Sequence, residues 1–234
     1  PFQSRMGLVL WEDQNAPGEA YEYVVEDLIP LGQMVLLVGE SGTGKSFLGH
    51  SLGLAIAQPR PFFGRRILER MGVIWLAYEA ASGVEARMRA YARYHNLPLE
   101  HLPFAVLKRP AKLWPGEDSV DALLKEIIGI QRHRFGGIKL GAIFVDTHNA
   151  GTPGASEIDS ETVSKIRDRY LMLARETGAA LVIIGHTNSQ GKHRGNEQLH
   201  NNVDTVIKVS RKMRTVGRDV FPIKDDDGRE IRTL

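Results

Sequence analysis

The sequence predicts an α/β fold: a mostly parallel central β-sheet with helices on both faces and additional C-terminal strands. Three observations carry that expectation. Short apolar runs at Met34–Val38, Val73–Tyr78, Leu140–Asp146 and Ala180–Gly185 have the texture of strands buried on both faces. Segments of helical period separate most of them, and alternation of this kind sets successive strands side by side and parallel. At 234 residues, 42% hydrophobic and 25% charged, the chain can build one large core, which excludes a disordered or fibrous molecule.

Taken in order, residues 1–22 show little periodicity and are expected to be a loosely ordered lead-in, with a single domain over 23–234. The first buried strand, Met34–Val38, is followed by a helix at Lys45–Ala57, with Phe47, Leu48, Leu52, Ala55 and Ile56 toward the core, ended by Pro59 and Pro61. After the strand Val73–Tyr78, a helix over about 83–94 places Val84, Met88, Tyr91 and His95 at spacings of three and four. Phe104–Leu107 reads as a short strand. Ser119–Arg134 reads as a helix with Asp118 as its N-cap. Thr162–Thr177 is helical and Gly178 stops it. Val203–Val209 and Asp219–Ile223 read as strands joined by a basic connection.

Two classes of function are removed by composition. The 30 Lys and Arg nearly balance 28 Asp and Glu, so the chain is not a globally basic nucleic-acid coat. It holds no cysteine, which excludes thiolate catalysis, disulfides and cysteine-bound metals. No apolar run approaches the ~20 residues of a membrane span, and the first residues do not read as a signal peptide. The expected location is cytoplasmic, with no membrane partner.

The strongest pattern is Gly39-Glu40-Ser41-Gly42-Thr43-Gly44-Lys45-Ser46, a G-x-x-x-x-G-K-[ST] loop placed between a buried strand and a helix, with Phe47 next to it. Gly42 and Gly44 let the backbone curl so that successive N–H groups face inward at a helix N-terminus, which makes an anion nest. Lys45 reaches the β- and γ-phosphates of a nucleoside triphosphate, and the Ser46 hydroxyl suits Mg2+. ATP and Mg2+ are the expected ligands.

Other strand ends supply the remaining chemistry. Asp146 closes the run Ala142–Asp146 and is expected to hold the metal or its water; the bland alternative is a cap for the next loop. Glu79 follows Val73–Tyr78 and suits a general base toward water; the alternative is an acid serving only the next helix. Glu40 is a weaker candidate, because phosphate charge repels it. His186 ends the strand Leu181–Gly185, where a polar group can sense the γ-phosphate or the attacking water.

These residues resemble RecA-like P-loop ATPases, most nearly the branch of hexameric plasmid and phage replicative helicases of the RepA type. The resemblance rests on the approach Tyr23–Gly32 into the phosphate loop, Phe62-Phe-Gly-Arg-Arg66 before Val73–Glu79, Ile143–Thr147, Ile183–Thr187, and Arg194-Gly195 followed by Val203-Asp204-Thr205. It implies a RecA-like ATPase domain over 23–234, assembled as a ring or filament with ATP at subunit interfaces. It also implies that Glu79 activates water, that His186 couples hydrolysis to a DNA-contacting loop, and that a neighbour donates a cation. Lys212 and Arg214 have the basic-x-basic form of such cations, or are a solvated basic turn; Arg194 is a third candidate. Thr205 departs from the RepA-type pattern, which has an arginine there.

From His186 to Arg218 the charge is strongly positive, with Lys192, Arg194, Lys208, Arg211, Lys212, Arg214 and Arg218 against Glu197 and Asp204. The segment holding Lys192, His193 and Arg194 therefore suits a backbone grip on single-stranded DNA, with an ordinary solvated loop as the alternative. Two functions of different class remain. One is an ATP-driven motor on single-stranded DNA, a replicative helicase or recombination-type ATPase; the other is an ATP-dependent switch or loading module without translocation. A small-molecule kinase would use the same phosphate loop, but no Arg-rich lid segment accompanies it.

Overall fold

The computed structural model describes residues 22–116, 118–156, 159–186, 200, 202–211, 213–216, 219–222 and 232–233, with backbone alone for 118 and from 211 onward. The expected lead-in lies outside these residues, except for Glu22.

In chain order the elements are β1 (Tyr23–Val25), β2 (Ile29–Pro30), β3 (Met34–Gly39), α1 (Lys45–Ala57), β4 (Gly72–Ala77), α2 (Ala81–Tyr94), β5 (Phe104–Leu107), α3 (Asp118–His133), β6 (Leu140–Asp146), α4 (His148–Gly151), α5 (Ser160–Thr177), β7 (Ala180–His186), β8 (Thr205–Arg211), β9 (Met213–Val216), β10 (Asp219–Pro222) and β11 (Arg232–Thr233). One sheet runs β11-β8-β3-β7-β6-β4-β5. Its six strands from β8 to β5 are parallel, and β11 pairs antiparallel with β8. This is the α/β architecture that the sequence predicts.

Alternation along the strands divides the core. Val35, Leu37, Trp75, Phe144, Val182 and Ile184 share one cluster with Leu52 and Ile56 of α1 and Val84 of α2. Leu36, Ile74, Leu76, Ile143, Val145 and Ile183 share the other with Val120, Leu123 and Ile127 of α3 and Ile166, Tyr170 and Leu173 of α5. Strands covered on both faces must be apolar at every position, which is why they read as runs rather than alternations. Burial of each large side chain stabilises the fold by about 1.5–3 kcal/mol.

The helix after the phosphate loop sits unusually close to the sheet. A Cβ at Gly49 would lie 2.9 Å from the Trp75 ring, and one at Gly53 2.7 Å from Phe104. Bare backbone there lets α1 press on the aromatic layer, where Trp75 stacks on Phe144 with centroids 4.7 Å apart. The phosphate-loop end of α1 is thereby fixed relative to β4 and β6.

Register then aligns the strand ends. Gly39 of β3 pairs with His186 of β7, and Ala77 of β4 pairs with Asp146 of β6. Four strands thus terminate along one edge of the sheet, where open α/β sheets bind ligands.

Several local expectations are corrected. The second strand is Gly72–Ala77, so Tyr78 lies beyond it. The helix expected from about 83 begins at Ala81 and excludes His95. Asp118 is the first residue of α3 rather than its cap. The connection after Asp146 opens with α4, and Asp159 caps α5 through Thr162 N–H. The basic connection between the last two expected strands contains β9, which forms an antiparallel hairpin with β10. Phe47 does not face the core: its side chain is 59% exposed.

Candidate functional site

The aligned strand ends surround a cavity of about 230 Å³ lined by Gly42, Gly44, Lys45, Ser46, Phe47, Glu79, Arg87, Thr147, Ile184 and His186. A larger cavity, about 540 Å³, lies by the sheet's opposite edge, but its Glu22, Glu26, Asp27 and Glu69 oppose a polyphosphate.

The loop between β3 and α1 closes on itself. Gly42 (φ 76°) and Gly44 (φ 95°) take left-handed conformations that disfavour side chains. Gly44 is the N-cap of α1 and offers no side-chain cap, so inward-turned N–H groups at the helix start can receive an anion, with the helix dipole in support. Thr43 Oγ1 donates to Glu40 O at 2.8 Å. Glu40 and Ser41 are exposed, and neither they nor Gly39 and Thr43 line the cavity; these four shape the loop.

Lys45 is 4% exposed. Its Nζ donates to Gly39 O at 2.9 Å and to Glu40 O at 2.8 Å, and lies 3.2 Å from His186 Nδ1. A charged lysine donates only, so in that state Nδ1 is the acceptor of this contact. Burial pulls the Lys45 pKa down, while Asp146 and Glu79 act to raise it.

Ser46 Oγ donates to Asp146 Oδ1 at 3.3 Å, joining the first turn of α1 to the end of β6. Asp146 is 3% exposed, and burial pushes its carboxyl up to about 6; the Ser46 hydrogen bond opposes this, Glu79 adds to it, and Arg87 and Lys45 oppose it. Glu79 Oε1 accepts from the Thr147 hydroxyl at 2.9 Å. The turn after Asp146 is anchored by His148, whose Nδ1 lies 2.8 Å from the Tyr170 hydroxyl of α5; burial lowers that histidine to about 4.

A hydroxyl and a carboxylate form a hard oxygen pair that suits Mg2+, and the glycine nest suits the phosphates that complete its shell. Among the described residues no group of three or more His, Cys, Asp or Glu could hold a metal alone. The donor set therefore fits a metal that arrives with a nucleotide.

Lys45, Ser46, Glu79, Asp146 and His186 are brought to one sheet edge, and Phe47 stands at the cavity wall. Lys192, His193, Arg194 and Lys212 lie outside the described residues. Arg214 is in β9, with its side chain outside them. Sequence reasoning assigned no role to Thr147 or Arg87. Thr147 follows Asp146 directly, which was the available signal. Arg87 stands beside the Val84–Met88 face of the helix that follows Glu79, a position from which it could enter the same cavity.

A family model described as an AAA domain matches residues 2–192, and the chain belongs to that family. Among solved structures, the KaiC-like protein PH0186 from hyperthermophilic archaea Pyrococcus horikoshii OT3 is similar at 19% identity over 81% of this chain and 76% of that one, with a TM-score of 0.47. No curated protein sequence matches the chain. Among the described residues no helix is long and apolar enough to cross a membrane.

Proposed function

We propose that this AAA-family domain binds ATP with Mg2+ and hydrolyses it, and that hydrolysis is coupled to single-stranded DNA in a homo-oligomer. The observation that carries the ATPase reading is the convergence of Lys45, the Ser46–Asp146 pair and Glu79 around one glycine nest.

In this reading the loop N–H groups and Lys45 neutralise the phosphates, exchanging the lysine's bonds to loop carbonyls for bonds to phosphate oxygens. Ser46 and Asp146 would hold Mg2+, which would supply charge neutralisation at the transferring phosphoryl group. Glu79, held by Thr147, accepts a proton from water at its carboxylate. Arg87 brings a second cation to the cavity from within the chain. His186, bonded to Lys45 and adjoining the basic segment in sequence, passes the occupancy of the phosphate site to Lys192, His193 and Arg194.

The DNA and assembly parts of the proposal rest on the sequence: the basic segment, the RepA-type resemblance, and Lys212, Arg214 or Arg194 as cations given to a neighbour. The second reading, an ATP-dependent switch or loading module without translocation, is favoured by Arg87, because a cation supplied in the same chain lets hydrolysis proceed without a neighbour. One experiment separates the two. MgATP turnover is measured with and without single-stranded DNA over a range of protein concentrations. A motor gives DNA-stimulated turnover that rises per protomer with concentration. A switch gives DNA-indifferent, concentration-independent turnover, and absence of any turnover refutes both.

A further inference from the structure

Position 47 is apolar within a helix whose other apolar residues are mostly buried, yet its ring stands in solvent at the cavity mouth. The ring carries a partner. Arg87 Cζ lies 5.6 Å from the Phe47 centroid, within cation–π range. The guanidinium also lies close to its own helix one turn earlier. A Cβ built on Gly83 would lie 3.3 Å from Arg87 Nη2 and 3.5 Å from Cζ. The guanidinium therefore lies within cation–π range of an aromatic ring and beside the space that a side chain at position 83 would take, while the residue lines the same cavity as Lys45, Ser46 and Glu79.

An arginine on an exposed helix has many rotamers, and only a few of them bring its charge over the phosphates. Neighbours that hold it there before substrate arrives remove that search from the reaction, which is the value of preorganised charge. Two other uses of Phe47 fit less well. A core role is ruled out by its exposure. A platform for the nucleobase would have to share the ring with the guanidinium already placed beside it.

We propose that Phe47, together with the bare Gly83 Cα, is a positioning residue that holds the Arg87 guanidinium toward the outermost phosphate of a bound nucleoside triphosphate. The proposal rests on the ATP reading of the site. It deepens that reading by making recognition of the third phosphate depend on an aromatic residue that touches no phosphate itself.

The test uses the full chain with Phe47→Leu, Phe47→Tyr, Gly83→Ala and Arg87→Ala. Three readouts are taken: the Arg87 side-chain N–H resonance without nucleotide, equilibrium affinities for MgATP and MgADP, and kcat. In the wild type the Arg87 resonance is displaced by the ring current. Phe47→Leu abolishes that displacement, weakens MgATP and lowers kcat by about tenfold, the scale of a sub-ångström loss of placement, and leaves MgADP unchanged. Phe47→Tyr restores all three. In an Arg87→Ala background Phe47→Leu adds nothing further, because the two act through one group. Gly83→Ala places a better helix former in α2, so it melts at or above the wild-type temperature while shifting the Arg87 resonance and lowering kcat.

An unchanged Arg87 resonance or an unchanged ATP-to-ADP affinity ratio in Phe47→Leu overturns the proposal. Equal losses for the two nucleotides also overturn it and assign Phe47 to the base instead. Failure of the wild type to bind either nucleotide refutes the ATP reading itself, an outcome distinguishable from an effect of Phe47 because it precedes any substitution.

Discussion

The Thr147 hydroxyl donates a 2.9 Å hydrogen bond to Glu79 Oε1, so the residue after the β6 acid orients the acid delivered by the neighbouring strand β4. The bond ties two carboxylates, Asp146 and Glu79, into one frame. A carboxylate held at one oxygen presents the other in a fixed direction, which is what a general base toward water requires.

Removing that hydroxyl tests the division of labour. Thr147→Val keeps the shape of the side chain, leaves MgATP affinity near wild type, and lowers kcat by about 10- to 100-fold, the range for losing alignment of one catalytic group. Single-turnover hydrolysis beside an equilibrium titration checks it. A weakened affinity with unchanged kcat would instead place Thr147 on the nucleotide.

Burial of Asp146 yields a pH signature. Its folded pKa of about 6 lies above the ordinary 3.8, so the folded state favours the protonated form. The stability this contributes is complete below pH ~4 and is lost as pH rises through ~6. Asp146→Asn, which cannot ionise, is therefore expected to stabilise the protein at pH 8 by about 1–3 kcal/mol and to change little at pH 4. Denaturant melts at the two pH values measure the difference. The same variant loses Mg2+-dependent nucleotide binding, since an amide is a poorer Mg2+ ligand than a carboxylate.

If the basic segment grips DNA, Lys192→Ala with Arg194→Ala weakens binding to single-stranded oligonucleotides of any sequence. The slope of log affinity against log salt falls by about 1.4 in magnitude, at ~0.7 for each phosphate that is no longer neutralised. Salt titrations of fluorescence anisotropy read this directly, and an unaltered slope returns the segment to an ordinary loop.

The phosphate loop, Asp146 and Glu79 were legible in the sequence because each stands where an apolar run stops, and a strand buried on both faces has to deliver its next polar residue to the sheet edge. Met34–Gly39 and Leu140–Asp146 needed no tertiary information for that reason. The exposure of Phe47 was not legible. Helix α1 is apolar over nearly its whole surface, so periodicity cannot single out which large residue is left outside. Arg87 enters the cavity because α2 packs beside α1, a long-range contact that its position beside the Val84–Met88 face did not by itself reveal. Strands β1, β2 and β9 escaped because runs of two to four residues are too short to show a period, whereas β10 falls within the expected strand Asp219–Ile223.

The central claim is that the loop from Gly39 to Ser46 receives a triphosphate. Calorimetric titration of the full chain with MgATP, beside Lys45→Ala, tests it most directly. The wild type is expected to show one site per chain, and Lys45→Ala a loss of affinity of at least about tenfold, as for removal of a buried charge-assisted hydrogen bond. Equal affinity in the two proteins, or binding by neither, would contradict it.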